Sequence, residues 1–228
     1  MLNHRYKLLY FAVCYYPMRA NSLRYRLFRS RVTPEKVQLG PGRSNYLNGW
    51  ANVDANFLTA RIDIWADISA KLPFRAETVA AFYSHHVIEH LPDRVLPFHF
   101  SEMFRSLKSG GIIRIGGPNA DMAIRKFEEH DLDWFDDFPD YRRSIGGRFA
   151  NFVLCRGEHL TILTSSYLRE LAADAGFHQI RFCRPAEETH FPSVFDSEVL
   201  SKEWESTPEF PHTLMMEATK PLLEQPVT

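Results

Sequence analysis

Short apolar runs alternate with stretches of helical periodicity along the chain, and this alternation limits the possible folds more than any other feature. Seven runs have the length and apolar character of buried strands, at residues 37–39, 50–53, 61–64, 79–83, 112–115, 178–183 and 213–218. Helical spacing appears at 94–108, 119–130 and 165–175, and Gly110-Gly111 are predicted to end the first of these helices. A strand, a helix and a second strand in this order predict parallel pairing through a right-handed crossover. The sequence therefore predicts an α/β fold with a doubly wound, mostly parallel seven-stranded sheet.

The start of the chain is basic, although the chain as a whole is nearly neutral. The 228 residues carry a formal net charge of -1, which argues against a nucleic-acid partner because phosphate binding needs a field of cations. Residues 1–36 nevertheless contain Arg and Lys repeatedly and a single acid, Glu35. We therefore predict a basic, apolar helical arm at residues 1–33 and one larger domain at residues 34–228.

Residues 8–17 of this arm are apolar, but about 20 apolar residues are needed to span a bilayer as a helix. Two interpretations stay open: the arm packs on its own domain, or its aromatic and basic residues make peripheral contact with an anionic membrane. The three cysteines, Cys14, Cys155 and Cys183, fit neither a disulfide framework nor a CxxC metal site. The chain is thus predicted to be cytoplasmic, or cytoplasmic and peripheral to a membrane.

A glycine turn follows the first predicted strand, where ligands bind in doubly wound sheets. Gly40 and Gly42 allow a sharp turn and a close approach of backbone to ligand. Pro41 removes a backbone donor, so the turn suits a cofactor without phosphates better than a pyrophosphate. Asp54 follows the second strand, and its two oxygens can accept from both hydroxyls of a ribose. It lies closer to the glycines than the dinucleotide fingerprint expects, and the spacing fits an ordinary turn aspartate equally well.

Five segments in this order resemble the class I S-adenosylmethionine-dependent methyltransferases: LGPG, GWANVD, WADISAKLPF, AFYSHHVIEHL and SLKSGGIIRIGGPN. The likeness is to a bacterial branch with a shortened first crossover, whose members often accompany cell-surface polysaccharide genes. It implies S-adenosyl-L-methionine as cofactor and an acceptor that is a small molecule or glycan, for example a sugar hydroxyl. The chain departs from the family at Pro41 and at Asn119.

The resemblance also implies roles for individual residues. Gly40 and Gly42, next to Leu39, would contact the methionine part of the cofactor, and Asp54 the ribose. Asp67 would accept from the adenine amino group, with Ile68 against the ring. Ser84 and His85 would line the sulfonium end.

Histidines near the presumed methyl group are the candidate catalytic residues. Histidine titrates near neutrality, which suits a general base for a hydroxyl acceptor. His85 and His86 follow the fourth strand, and His159 is a candidate from the far side of the cleft. A purely structural role stays open for each of the three.

Residues 86–90 also spell H-x-x-E-H, a zinc-protease signature. On a helix, His86 and His90 would share one face, and the third ligand would have to come from Glu128, Glu129 or Glu158. We predict no metal, because the methyltransferase pattern accounts for the same residues and their flanks. A further alternative, raised by Pro41 and Asn119, is a module that binds cofactor or a partner without catalysis.

An acidic aromatic segment lies at residues 132–141. Its rings and carboxylates fit stacking and hydrogen bonding with a sugar or a cation. The other interpretation, which we favour, is a solvated loop held by two buried rings.

Overall fold

The computed structural model of the chain describes residues 4–28 and 35–222. Six α-helices are formed in this part of the chain: α1 His4–Phe28, α2 Leu96–Ser106, α3 Ala120–Glu128, α4 Ile145–Leu154, α5 Ser165–Asp174 and α6 Ser197–Leu200. Seven strands are formed: β1 Lys36–Leu39, β2 Ala51–Asp54, β3 Ile64–Trp65, β4 Val79–His85, β5 Leu107–Pro118, β6 His178–Cys183 and β7 Thr213–Thr219.

The strands make one seven-stranded sheet in the order β3-β2-β1-β4-β5-β7-β6. Neighbours from β3 to β5 pair in parallel, while β7 runs antiparallel between β5 and β6. The predicted doubly wound, mostly parallel sheet is confirmed. Residues 40–50 join β1 to β2 through turns, so the first crossover is short, as the sequence indicated.

The core lies on both faces of the sheet because the central strands are buried on both sides. The larger cluster includes Leu39, Phe82 and Ile113 from the sheet, and Phe100 of α2 and Leu168 of α5 pack on the same side. A smaller cluster on the other side is built around Trp50, Tyr83 and Phe195. Alternation of side chains along each strand explains why Phe82 and Tyr83 belong to different clusters.

Two sequence predictions about elements were wrong, and one helix was missed. The third strand is Ile64–Trp65 rather than 61–64, so the predicted and the observed strand share only Ile64. Gly110-Gly111 do not end a helix but lie within β5, which begins at Leu107. Leu107 pairs with Val79 and Ile112 pairs with Ala81, so β5 has more residues than β4 between these two pairs. This β-bulge includes Gly110, whose left-handed backbone (φ +74°) allows the chain to turn there. Helix α4 was not recognised.

Helix α1 packs against the sheet edge formed by β2 and β3. Asn21 Nδ2 donates to the carbonyl oxygen of Trp65 at 2.8 Å, and Tyr10 Oη donates to that of Ala55 at 2.7 Å. Met18 is buried in this contact. The helix is therefore fastened to the residues that directly follow Asp54. No helix among the described residues combines the length and apolarity needed to cross a membrane.

Candidate functional site

The order of the strands reverses between β1 and β4, and the glycine turn lies at this point. Gly40 has a left-handed backbone (φ +67°), and its N–H donates to the Val53 carbonyl oxygen at 2.8 Å. A Cβ at Gly40 would lie 2.4 Å from Val87 Cγ2. Only glycine fits, because both the φ angle and the space exclude a side chain.

Gly42 and Asp54 are in contact at the same edge, and the space beside the Gly42 Cα is open. Gly42 also has a left-handed backbone (φ +56°), yet a Cβ there would meet nothing within 4 Å. Its N–H donates to Asp54 Oδ2 at 3.3 Å, and Asn56 N–H donates to Asp54 Oδ1 at 2.8 Å. Burial raises the pKa of Asp54, although these backbone donors oppose the shift. Each carboxylate oxygen keeps acceptor capacity for a ligand.

Asp67 lies beyond β3, near the same edge of the sheet. Its Oδ1 accepts from the N–H and hydroxyl of Ser69, at 2.9 and 2.6 Å, which leaves Oδ2 as the oxygen available to a ligand. The side chain of Ile68 is buried, and His99 Nδ1 donates to its carbonyl oxygen at 2.9 Å. The backbone beside Asp67 is thus held in a fixed position.

Two buried polar atoms at the end of β4 lack partners. Ser84 Oγ and His85 Nε2 make no hydrogen bond within residues 4–28 and 35–222. Burial lowers the pKa of His85 well below its usual value, and the neighbouring His86 and Arg114 add to the effect. Leaving a buried polar atom unpaired costs about 1–3 kcal/mol. Such atoms are expected where a ligand supplies the missing partner.

His86 is held at both ring nitrogens. Its Nδ1 lies 3.0 Å from Glu89 Oε1, and its Nε2 lies 3.1 Å from Thr213 Oγ1. Because a carboxylate only accepts, Nδ1 carries the proton and Nε2 is the accepting nitrogen. Burial raises the pKa of Glu89, but the hydrogen bond and charge of His86 outweigh it, and the net pKa lies below the usual value.

His86 and His90 do not share a helical face. His86 has a left-handed backbone (φ +53°) and precedes the short 3₁₀ turn Ile88–His90. Of the third ligands considered, Glu129 pairs with Arg125 and Lys126 on α3. The arrangement required by the H-x-x-E-H interpretation is therefore not formed.

His159 lies on the other side of the cleft and faces His90, with ring centroids 5.2 Å apart. Burial lowers its pKa, partly opposed by the charge of Glu89. With Pro118, Phe152 and Leu163 it lines a hollow of about 10 Å³, enough for a single water molecule, between the end of β5 and the end of α4. The structure thus brings the three predicted histidines to one edge of the sheet.

Sequence reasoning missed Thr213 as a neighbour of His86. It follows His86 by 127 residues and reaches it only because β7 inserts beside β5. Asn119, noted as a departure from the family, caps α3 by accepting from Met122 N–H at 3.1 Å. Asparagine performs this role as well as aspartate, so the departure has a structural explanation.

The acidic aromatic segment is a loop anchored by two rings, as favoured from the sequence. Trp134 and Phe135 are buried, whereas Phe138 and Tyr141 are 62% and 63% exposed. Trp134 stacks on His212 with ring centroids 4.3 Å apart.

Comparisons with known proteins point to one class. Residues 39–115 match the family model described as a methyltransferase domain. A SAM-dependent methyltransferase from Archaeoglobus fulgidus superposes with a TM-score of 0.52 at 15% identity, covering 94% of each chain. Phosphoethanolamine N-methyltransferase 2 from Haemonchus contortus, solved with S-adenosyl-L-methionine, gives a TM-score of 0.51 at 14% identity and covers 90% of this chain. This chain spans only 52% of that enzyme. None of the curated proteins compared with the chain matches it.

The fold is that of the Rossmann-like class I methyltransferases, with an added N-terminal helix. The family match covers β1 to the middle of β5, the part of the chain that carries the glycine turn and the end of β4. Residues 39–115 are thus similar to a methyltransferase domain, and the chain shares the fold of solved S-adenosylmethionine-dependent methyltransferases.

Proposed function

We propose that the chain transfers a methyl group from S-adenosylmethionine to a hydroxyl group of a small-molecule or glycan acceptor. The observation that carries this proposal is the pair of partnerless buried atoms, Ser84 Oγ and His85 Nε2, at the end of β4, the strand that pairs with β1 just before the turn that only glycine fits. A turn without a side chain, an open space and unpaired polar atoms together fit a bound ligand.

The residues at this edge would hold S-adenosylmethionine in the following way. The turn at Gly40 and Gly42 would hold its amino-acid part, and Asp54 would accept from the two ribose hydroxyls. Asp67 Oδ2 would accept from the adenine amino group, with Ile68 against the ring. Ser84 and His85 would lie at the sulfonium end. When bound, the cofactor supplies an electrophilic methyl group.

The chain's own contribution is to hold the acceptor and take its proton. Methyl transfer is an in-line displacement, so holding the reacting atoms in near-attack geometry supplies most of the rate. We assign His86 as the general base, because its Nε2 accepts and its Nδ1 is oriented by Glu89. The acceptor hydroxyl would take the place of Thr213 Oγ1 at Nε2. His159 would contact the acceptor from the hollow.

Replacing His86 by alanine is expected to lower methyl transfer by about 100-fold, the low end of what a general base contributes. The measurement is the incorporation of tritiated methyl groups from labelled S-adenosylmethionine into fractions of host cells. Binding of S-adenosylhomocysteine, followed by calorimetry, should stay nearly unchanged because His86 is not among the proposed cofactor contacts.

The matched control is His178→Ala, which removes an exposed histidine from β6. Equal incorporation by the two variants would contradict the role of His86. Tight binding of S-adenosylhomocysteine without any incorporation by the wild-type chain would instead favour the non-catalytic module.

A sugar or glycan acceptor would suit the exposed rings of the segment before α4. Phe138 and Tyr141 precede α4, whose Phe152 and Val153 line the hollow, and Asn151 Nδ2 ties the two segments together by donating to the Phe138 carbonyl oxygen at 2.6 Å. Exposed aromatic faces stack on sugar rings. The association with polysaccharide synthesis and the cytoplasmic location stay predictions.

Peripheral membrane contact through α1 is also proposed. Its outward side exposes large apolar side chains, among them Leu9, Val13, Tyr16 and Leu27, between basic residues. Such a surface favours an anionic bilayer interface.

The double variant Val13→Asp/Tyr16→Asp is therefore expected to lose most of its retention on liposomes that contain anionic lipid, measured by co-sedimentation. Trp204→Asp changes an equally exposed ring outside α1 and should sediment like the wild type. Unchanged retention of the double variant would rule out membrane contact through α1.

A further inference from the structure

Three side chains with metal-binding atoms converge next to the proposed acceptor site. Glu89 and His90 come from the 3₁₀ turn after β4, and His159 comes from the segment after α4. Their ligand atoms all lie within 4.8 Å of one another, and His90 Nε2 lies 3.9 Å from Glu89 Oε1. Two backbone hydrogen bonds join the turn after β4 to the segment after α4: the N–H groups of Leu160 and Thr161 donate to the Glu89 carbonyl oxygen at 2.7 and 3.2 Å.

Both histidines are held in the tautomer that a metal requires. His90 Nδ1 lies 2.9 Å from the Glu158 carbonyl oxygen, and His159 Nδ1 lies 3.1 Å from the Val153 carbonyl oxygen. Carbonyl oxygens only accept, so each Nδ1 carries the proton and each Nε2 keeps its lone pair. Metal-ligating histidines almost always donate their other ring N–H to a carbonyl or carboxylate in this way.

Glu89 supplies the negative charge and an unused acceptor. Its side chain is 1% exposed, and Oε1 is the atom that contacts His86. Oε2 has no hydrogen-bond partner in the described part of the chain. A buried carboxylate oxygen without a partner is costly, and a coordinated cation would remove that cost.

We propose that Glu89, His90 and His159 bind a divalent transition-metal ion, for which zinc is the best match. Two imidazoles and one carboxylate form the donor set of open zinc sites, which keep a position for a water or a substrate. In the proposed function His159 and the neighbouring His86 contact the acceptor, so the open position would face it. There the ion would bind the acceptor oxygen and favour loss of its proton. This role rests on the proposed function; the ion site itself does not.

A second group with suitable donors, Cys183, His190 and Glu217, is a weaker candidate. Glu217 Oε1 already accepts from Arg114 and from Thr189 Oγ1, and Oε2 accepts from His190 N–H. The carboxylate is therefore satisfied without an ion, in contrast to that of Glu89.

The test is zinc binding by the full chain, first stripped with a chelator and then dialysed against Zn²⁺, with the metal content measured by mass spectrometry. We expect one zinc ion per chain in the wild type and in the two controls, Cys183→Ser and His178→Ala. His159→Ala is expected to weaken zinc binding at least about tenfold. Glu89→Gln, the second variant, removes the negative charge of the site and should weaken zinc binding as well. His159 is partly exposed, so its replacement should leave the melting temperature of the stripped protein nearly unchanged.

Cobalt substitution gives an independent readout. Co²⁺ bound by Glu89, His90 and His159 should show visible d–d bands without a thiolate charge-transfer band, and His159→Ala should abolish the d–d bands. Zinc that is retained in His159→Ala but lost in Cys183→Ser would overturn the proposal, as would the absence of stoichiometric zinc. Calorimetry with S-adenosylhomocysteine on the stripped protein distinguishes failure of the metal site from failure of the proposed function, because Asp54 and Gly40 need no ion.

Discussion

Replacing Asp54 by alanine is expected to weaken binding of S-adenosylhomocysteine by roughly 100-fold to 10,000-fold. The side chain would accept from two ribose hydroxyls, and hydrogen bonds to a charged group are worth about 1.5–3 kcal/mol each. The change removes about 3–6 kcal/mol of binding energy, which corresponds to that range of Kd. Isothermal titration calorimetry measures it directly, without knowledge of the acceptor.

Two further variants make this test specific. Asp54→Asn keeps the shape and one acceptor oxygen, so its Kd should lie between those of the wild type and Asp54→Ala. Asp174→Ala removes an exposed aspartate at the end of α5, at the opposite edge of the sheet, and should bind like the wild type. If Asp54→Ala binds as tightly as Asp174→Ala, the proposed cofactor site is wrong.

Replacing Arg114 by leucine is expected to destabilise the fold by about 3–5 kcal/mol. Arg114 lies on β5 and is fully buried. Its Nε and Nη2 donate to the two oxygens of Glu203 at 2.6 Å, and its Nη1 donates to Glu217 Oε1 at 2.5 Å. Removing the cation leaves two buried carboxylates without an opposite charge, although hydrogen bonds from Ala186, Thr189 and His190 remain. Denaturant unfolding measures the loss, and Arg125→Leu, which breaks an exposed ion pair with Glu129, should cost less than about 1 kcal/mol.

The difference in unfolding free energy between the wild type and Arg114→Leu should depend on pH with a definite sign. In the wild type, burial acts to raise the pKa of Glu217, but hydrogen bonds from Thr189 and His190 and the charge of Arg114 hold it below the usual value. Its contribution to stability is therefore present above the pKa of the unfolded state and is lost as the pH falls through the folded-state pKa. In Arg114→Leu the charge that helps to lower the pKa of Glu217 is gone, so this pKa rises in the folded state and acidification relieves the penalty. We expect the stability difference to shrink between about pH 7 and about pH 5; a difference that grows over this interval would contradict the assignment.

Much of the central sheet could be predicted because the apolar residues that bury a strand are adjacent in the sequence. The apolar runs at β1 and β4 lie where they were expected, since the core strands of a doubly wound sheet are short and apolar. Residues 178–183 do form a strand, but it is a mostly exposed edge strand rather than the buried one that was predicted. The third strand was misplaced because it has only two residues and pairs at an edge. The extra residues in β5 escaped prediction because adjacent glycines end a helix as readily as they form a bulge.

The candidate site, too, could be predicted only in part. Gly40, Gly42 and Asp54 could be proposed from the sequence because they lie within one short segment around a single turn. The surroundings of His86 could not, since Glu89 reaches it through a left-handed turn and Thr213 arrives on a strand that pairs antiparallel with β5. The H-x-x-E-H alternative assumed a helix that would place His86 and His90 on one face, whereas the chain forms a single 3₁₀ turn there.

The sequence by itself determined the α/β class, the order of most elements and the glycine turn, because hydrophobic period and glycine content act over a few residues. Only the tertiary structure decided which side chains meet at the carboxyl edge of the sheet. Those meetings join Glu89 to His159 and Arg114 to Glu203 across 70 and 89 positions of the chain. They depend on strand order and on burial from both faces, and no local pattern encodes either of these.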